Sequence, residues 1–221
     1  MGFSYLYMKK ITDIYRKYKI MPALAMHQIR VAAVAIEICK NIDITFDKES
    51  LVIACLLHDM GNIIKFNLKL FPEQNEPEGI DYWKQVKEEF ISKYGKNEHI
   101  ATAKIAEEIG VNSHVLDLIK FIDSDLIEKI NLSDDISKKI CMYADTRVTP
   151  YGITSFEYRM NEAKERYKDH PNAFDDKKHL NFKFNLKEIE KQIFSHLKIK
   201  PEDINDESVA QDIEKLKNYE F

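Results

Sequence analysis

The fold depends most on one stretch, Leu51-Val52-Ile53-Ala54-Cys55-Leu56-Leu57-His58-Asp59. Its first seven residues make a helical run that is apolar on every side, which is typical of a buried helix. An ionisable pair at the end of a buried helix is costly unless another charge compensates it. A divalent metal ion would do so, because many such ions accept imidazole nitrogen and carboxylate oxygen as ligands. The stretch therefore indicates a helical core with a metal-binding pair at its end.

The composition fits one sizeable soluble domain, or one domain with an appended piece. The chain has 221 residues, of which 44% are apolar and 32% charged, and its net charge is −4. This balance gives no basic footprint for duplex nucleic acid, so a small charged metabolite is the expected partner. Three cysteines without a pairing pattern predict reduced core thiols and a cytoplasmic setting. The apolar run at the N-terminus is too short for a signal peptide or a membrane span, so no membrane contact is expected.

The hydrophobic periodicity predicts helices nearly throughout, and therefore an all-α fold. The expected helices cover about 4–19, 22–40, 47–60, 81–94, 98–109, 112–122, 133–148, 154–168 and 204–218, with another beginning near 185. Gly61 is expected to end the third helix in the left-handed conformation. Residues 67–80 are expected to form a loop. A short strand is considered at 181–185. A domain boundary is expected near residues 171–184, where helical periodicity fades.

Two further residues of the chain have the chemistry of metal ligands. His27 shares a helix stripe with Leu24 and Val31, so it should point inward. Asp145 lies inside another predicted helix. Each residue has an ordinary alternative: a hydrogen-bonded core histidine for His27, and a buried ion-pair partner of Arg147 for Asp145.

The order of these residues resembles the HD-domain superfamily of metal-dependent phosphohydrolases. His27-Gln28-Ile29-Arg30-Val31-Ala32 looks like the first histidine segment of that family, Leu56-Leu57-His58-Asp59-Met60-Gly61-Asn62 is similar to its HD-Ile-Gly variant, and Tyr143-Ala144-Asp145 looks like its closing aspartate. The resemblance covers about residues 22–150. It implies an HD-type helical bundle over residues 1–170, followed by a helical C-terminal appendage over 171–221.

The resemblance also implies a ligand set and a reaction. One divalent ion, of Mn, Co, Ni, Mg, Fe or Zn, would be bound by His27, His58, Asp59 and Asp145. A water on that ion would attack the phosphorus of a phosphoester, and the carboxylate of Asp59 would orient this water.

Four residues are candidates for contact with the substrate phosphate. The segment around His99 resembles the family's middle histidine segment, and the N-terminal end of its helix favours an anion. Arg30 and Arg147 could each hold a phosphate by a bidentate contact, and Lys65 could add positive charge. A surface histidine, paired arginines and a solvated lysine are the alternatives that the sequence leaves open.

Two departures from the family pattern bear on the reaction. Ile122 stands where two-metal members carry a second histidine, and Asp123 is a weak substitute, so a one-metal site is expected. Asn62 stands where variants carry lysine or glutamate, and an asparagine cannot act as a general base. His170, His179 and His196 lack partners at ligand spacing and are expected at the surface.

The sequence thus predicts a metal-dependent phosphohydrolase that cleaves a phosphoester, in a nucleotide or a related small phosphate. The alternatives are a cyclic-nucleotide or dinucleotide phosphodiesterase, a catalytically silent nucleotide-binding regulator, and a helical bundle without metal. The amphipathic N-terminal helix and the C-terminal appendage could mediate a homodimer.

Overall fold

The structure is a computed structural model that describes residues 10–166, 168 and 175–221. Within these residues the α-helices are α1 Ile11–Lys17, α2 Pro22–Asn41, α3 Lys48–Leu57, α4 Ile80–Tyr94, α5 Glu98–Ile109, α6 Ser113–Phe121, α7 Ile127–Leu132, α8 Ile136–Asp145, α9 Phe156–Arg166, α10 Asp176–Phe194 and α11 Asp206–Leu216. Two short antiparallel strands, β1 Val148–Thr149 and β2 Gly152–Ile153, form a hairpin with Val148 opposite Ile153. The predicted all-α class is confirmed.

The centre of the fold is formed by α2, α3 and α8, which pack against one another. Every residue of α3 from Leu51 to Leu57 is buried, as this uniformly apolar run predicts. The helix α2 is long and apolar enough to cross a membrane, but more than half of its apolar window is buried inside the fold. Packing against α3, α8 and α11 accounts for its composition, so it is weak evidence for a membrane span.

The C-terminal part packs on this centre, with α10 against α7 and α8 and α11 against α2. The strand considered at 181–185 is wrong, and so is a helix beginning near Asn185, because α10 runs through both. It begins earlier because the Asp175 carboxylate accepts a hydrogen bond from the backbone N–H of Lys178 at 2.7 Å. Phe182 and Leu186, one turn apart on α10, are both buried.

Other boundaries also differ from the predicted ones. Residues 67–80 contain a 3-10 turn, Pro72–Asn75. The helix predicted at 133–148 is shorter, and α7 and the β1–β2 hairpin were not predicted. The helix predicted from residue 154 begins at Phe156, and the Oγ of Ser155 before it accepts a hydrogen bond from the Tyr158 N–H at 3.2 Å. The part of the predicted first helix before residue 10, and His170, lie outside the described residues.

Gly61 does not have the predicted role of a left-handed helix stop. Helix α3 ends at Leu57, and Gly61 has an ordinary φ of −94°. Glycine is instead required by the close approach of α5, since a Cβ at this position would lie 2.8 Å from Ala101 Cβ and 2.9 Å from Thr102 N. The Glu98 carbonyl would be closer still. The Gly61 N–H also donates to Thr102 Oγ1 at 2.9 Å, so this contact holds α5 against the end of α3.

Gly61→Ala should therefore destabilise the protein by about 1–3 kcal/mol, the usual cost of overpacking. Urea unfolding followed by circular dichroism measures the change. Gly79→Ala is the control, because a Cβ there meets no atom within 4 Å and only the positive φ of 84° is strained. An unfolding midpoint for Gly61→Ala equal to the wild-type value would contradict the tight α3–α5 contact.

Candidate metal centre and substrate pocket

Three helices bring the predicted metal ligands together. His27 lies in the second turn of α2, His58 and Asp59 directly follow α3, and Asp145 is the last residue of α8. The ends of α3 and α8 meet beside α2, so residues that are far apart in the sequence become neighbours. The sequence predicted these four positions, and the fold places their side chains in one cluster.

The distances within the cluster are short enough for a shared cation. Ligand atoms of His27, His58 and Asp59 all lie within 4.8 Å of one another. Asp145 Oδ1 lies 3.0 Å from His27 Nε2 and 3.5 Å from His58 Nε2. Asp59 Oδ2 lies 3.7 Å and 3.6 Å from the same two nitrogens. Two imidazoles and the Asp59 carboxylate therefore face one point, as cofactor sites in helical bundles do, and the Asp145 carboxylate lies beside both imidazoles.

The environment of His58 fits a metal ligand better than a core histidine. Its Nδ1 donates to the Cys55 carbonyl at 2.8 Å, which leaves Nε2 with the lone pair that would bind a metal. Nε2 is buried and has no hydrogen-bond partner among the described residues. A buried polar atom without a partner is unusual in a native protein, and a cation at the cluster would satisfy it.

The electrostatics of the cluster also demand positive charge. Burial opposes protonation of His58, but the nearby carboxylates of Asp59 and Asp145 outweigh it and raise its pKa to about 10. Burial likewise opposes ionisation of Asp145, but the imidazoles of His27 and His58 hold its pKa well below the usual range. A bound dication would supply this charge in place of the proton, as metal binding commonly does.

Gln28 contacts the backbone of the cluster, a role that the sequence did not predict. Its side chain is fully buried, and its Oε1 accepts a hydrogen bond from the Asp59 backbone N–H at 3.1 Å. The contact fixes the turn that carries Asp59 relative to α2. A buried glutamine beside a candidate ligand was the available signal, but helical spacing alone does not reveal its partner.

The cluster opens into a cavity of about 890 Å³, whose wall includes His27, Asp59 and Asp145. His99 lines this cavity, with its Nε2 3.8 Å from Glu98 Oε1 and 3.8 Å from Asp123 Oδ2. Lys65 lines it as well, 3.8 Å from Glu98. A cavity of this size can hold a nucleotide-sized ligand.

The two arginines predicted to touch substrate do not line the cavity. Arg30 donates to the Pro150 carbonyl at 3.2 Å. Arg147 is buried and donates to the carbonyls of Thr154, Pro201 and Ile204 and to the Tyr143 hydroxyl. Its guanidinium thus ties the β1–β2 hairpin to the segment before α11, and this geometry gives no support to a phosphate contact by either arginine.

The cavity lining also includes Ile122 and His179, two residues about which the sequence made predictions. Ile122, the apolar residue at the position where the resemblance would place a second histidine, lines the cavity. His179 is not at the surface as expected: it is 7% exposed and lines the same cavity. Its burial follows from α10, whose continuous helix turns it toward the cavity. His196 is exposed, as expected.

A family comparison agrees with this geometry. The HD domain family matches residues 24–147, which is more than half of the chain and includes all four residues of the cluster. No curated protein and no solved structure is significantly similar to the chain.

His58→Ala should lower the affinity for a divalent cation by more than about 100-fold, a larger loss than outer partners of a metal site produce. Calorimetric titration of chelator-treated protein with Mn²⁺ or Co²⁺ measures it. His196→Ala, at an exposed histidine, is the matched control and should bind as the wild type does. Equal affinities for His58→Ala and the control would show that the cluster is not the metal site.

Gln28→Ala should lower the same affinity by about 10–100-fold, because Asp59 would lose the contact that positions it. Titration should be accompanied by a thermal unfolding curve, since the change also empties a buried site. Gln28→Glu retains an oxygen acceptor for the Asp59 N–H and should recover part of the affinity. Unchanged metal affinity in folded Gln28→Ala would exclude a positioning role.

Proposed function

The chain belongs to the HD domain family, whose members are in general metal-dependent phosphohydrolases, and on this premise we propose that it hydrolyses a phosphoester of a small metabolite, a nucleotide above all. The observation that carries the proposal is the convergence of two imidazoles and two carboxylates at one end of a ligand-sized cavity. A helical bundle without function would gain nothing from such a cluster, because buried ionisable groups are costly.

The proposal assigns roles to residues at two levels. His27, His58, Asp59 and Asp145 would hold one divalent ion, which, when bound, supplies an acidified water and stabilises negative charge on phosphate. The carboxylate of Asp59 would also accept a hydrogen bond from the attacking water and so orient it. Four protein ligands on an ion that prefers six leave room for water and a phosphate oxygen.

His99 and Lys65 are the described groups best placed to meet the phosphate from the other side. His99 lies in the first turn of α5, whose N-terminal end favours an anion. Its side chain is 43% exposed, so a ligand can reach it. Lys65 and His99 both lie 3.8 Å from Glu98, and this carboxylate would hold both side chains at the cavity wall.

A panel of nucleoside monophosphates and a chromogenic aryl phosphate, assayed with Mn²⁺, Co²⁺, Ni²⁺, Mg²⁺ and Fe²⁺, tests the proposal. We expect phosphate release that depends on metal and falls by more than about 100-fold in Asp59→Asn, which retains the shape of the side chain but not its charge. His196→Ala should retain full activity.

Two results would overturn the proposal. Saturable nucleotide binding by metal-loaded protein without turnover would favour a silent regulator. Full activity of Asp59→Asn would show that hydrolysis occurs elsewhere or comes from a contaminant.

A further inference from the structure

The wall of the cavity includes residues that the family match does not cover. The match ends at residue 147, whereas α9 and α10 contribute Arg159, Lys164 and His179 to the lining. We call these three residues the basic wall. The wall therefore lies in the part of the chain that the family match does not cover.

The described lining of the cavity carries more basic than acidic side chains, although the net charge of the chain is −4. Among the described residues, six basic side chains line it: Lys65, Lys96, Arg159, Lys164, Arg166 and Lys168. Three carboxylates of the same described lining oppose them: Asp59, Glu98 and Asp145. Two of these three carboxylates belong to the metal cluster, where a dication would neutralise them. The rest of the lining therefore presents an excess of positive charge, which concentrates anions.

The third residue of the wall, His179, differs from the two cations in having no side-chain partner among the described residues. It is 7% exposed, lines the cavity, and makes no side-chain hydrogen bond to a described residue. Its ring therefore remains available to a ligand in the cavity. Burial and then the positive charges of Lys164 and Lys183 lower the pKa of His179, so its neutral ring can donate one N–H.

Both cations of the basic wall pair with a carboxylate of the protein. Arg159 lies 3.3 Å from the Glu162 carboxylate, and its Nε donates to the Val148 carbonyl at 2.9 Å. Lys164 pairs with Asp176 at 2.7 Å, but the two side chains are 44% and 84% exposed. Water screens an exposed ion pair and makes it weak, so an anion can compete for Lys164.

We propose that the basic wall binds a second phosphate group of the substrate. The first phosphate group is the one whose ester would be cleaved at the metal cluster. The ligand would then be a metabolite with two phosphate groups, such as a nucleoside bisphosphate, in preference to a monophosphate. This inference rests on the proposed function for the scissile end, but the anion subsite can be tested without catalysis.

Calorimetric titration of chelator-treated full-length protein with inorganic pyrophosphate tests the subsite. Lys164→Ala and His179→Ala should each weaken binding by about tenfold. Asp176→Asn should strengthen it by about twofold to fivefold, because it frees Lys164 from an exposed ion pair. Lys187→Ala is the control, because it removes an exposed lysine of α10 that does not line the cavity. It should change binding by less than about twofold.

Lys164→Ala and Asp176→Asn should change the pyrophosphate affinity in opposite directions. If the Lys164–Asp176 pair only stabilised the fold, both variants would change the affinity in the same direction. Wild-type affinity in Lys164→Ala, which is exposed and should fold, would overturn the proposal. So would an equal loss in Lys187→Ala.

A second measurement tests the substrate class with metal restored. Wild-type kcat/KM should be about tenfold higher for adenosine 3′,5′-bisphosphate than for adenosine 5′-monophosphate, and His179→Ala should bring the ratio close to one. An unchanged ratio in folded His179→Ala overturns the assignment of that residue. If neither compound is hydrolysed, the proposed function fails, while the pyrophosphate titrations still decide whether the anion subsite exists.

Discussion

The structure depends on one electrostatic constraint, the need to compensate two carboxylates and two imidazoles at the end of a buried helix. The cluster lies where α3 and α8 end beside α2, at the centre of the fold. Without compensation, burying such groups would cost several kcal/mol per charge. A divalent ion removes this cost, and its binding free energy would then contribute to the stability of the same three helices. On this account, the fold and the candidate reaction have a common origin in the cluster.

The elements around the centre position the cluster and form the cavity beside it. Gly61 lets α5 approach the end of α3, which places His99 on the cavity that the cluster opens into. Gln28 fixes the turn that carries Asp59. Arg147 ties the hairpin after α8 to the segment before α11, and α9 follows that hairpin directly. The helices after residue 147 therefore complete the cavity, and they supply the basic side chains that would select among phosphorylated ligands.

The sequence predicted the helical class, the buried α3 and the positions of the four candidate ligands. It could do so because these features depend on local periodicity and on a motif of fixed order. Gly61 shows the limit, since the reason for glycine there lies in α5, forty residues away in the sequence. His179 shows it as well: its segment is polar in sequence, and only the packing of α10 turns the imidazole inward. Arg147 has the charge expected of a phosphate ligand, but carbonyls from distant segments occupy its guanidinium. The destinations of long polar side chains depend on tertiary contacts that periodicity does not encode.

Anomalous diffraction from crystals grown with Mn²⁺ or Co²⁺ tests the central claim most directly. The account predicts one strong peak about 2.0–2.2 Å from Nε2 of His27 and His58 and from a carboxylate oxygen of Asp59 and Asp145. A fully occupied peak elsewhere, or a cluster that stays empty at saturating metal with its imidazoles bonded only to protein, would contradict it.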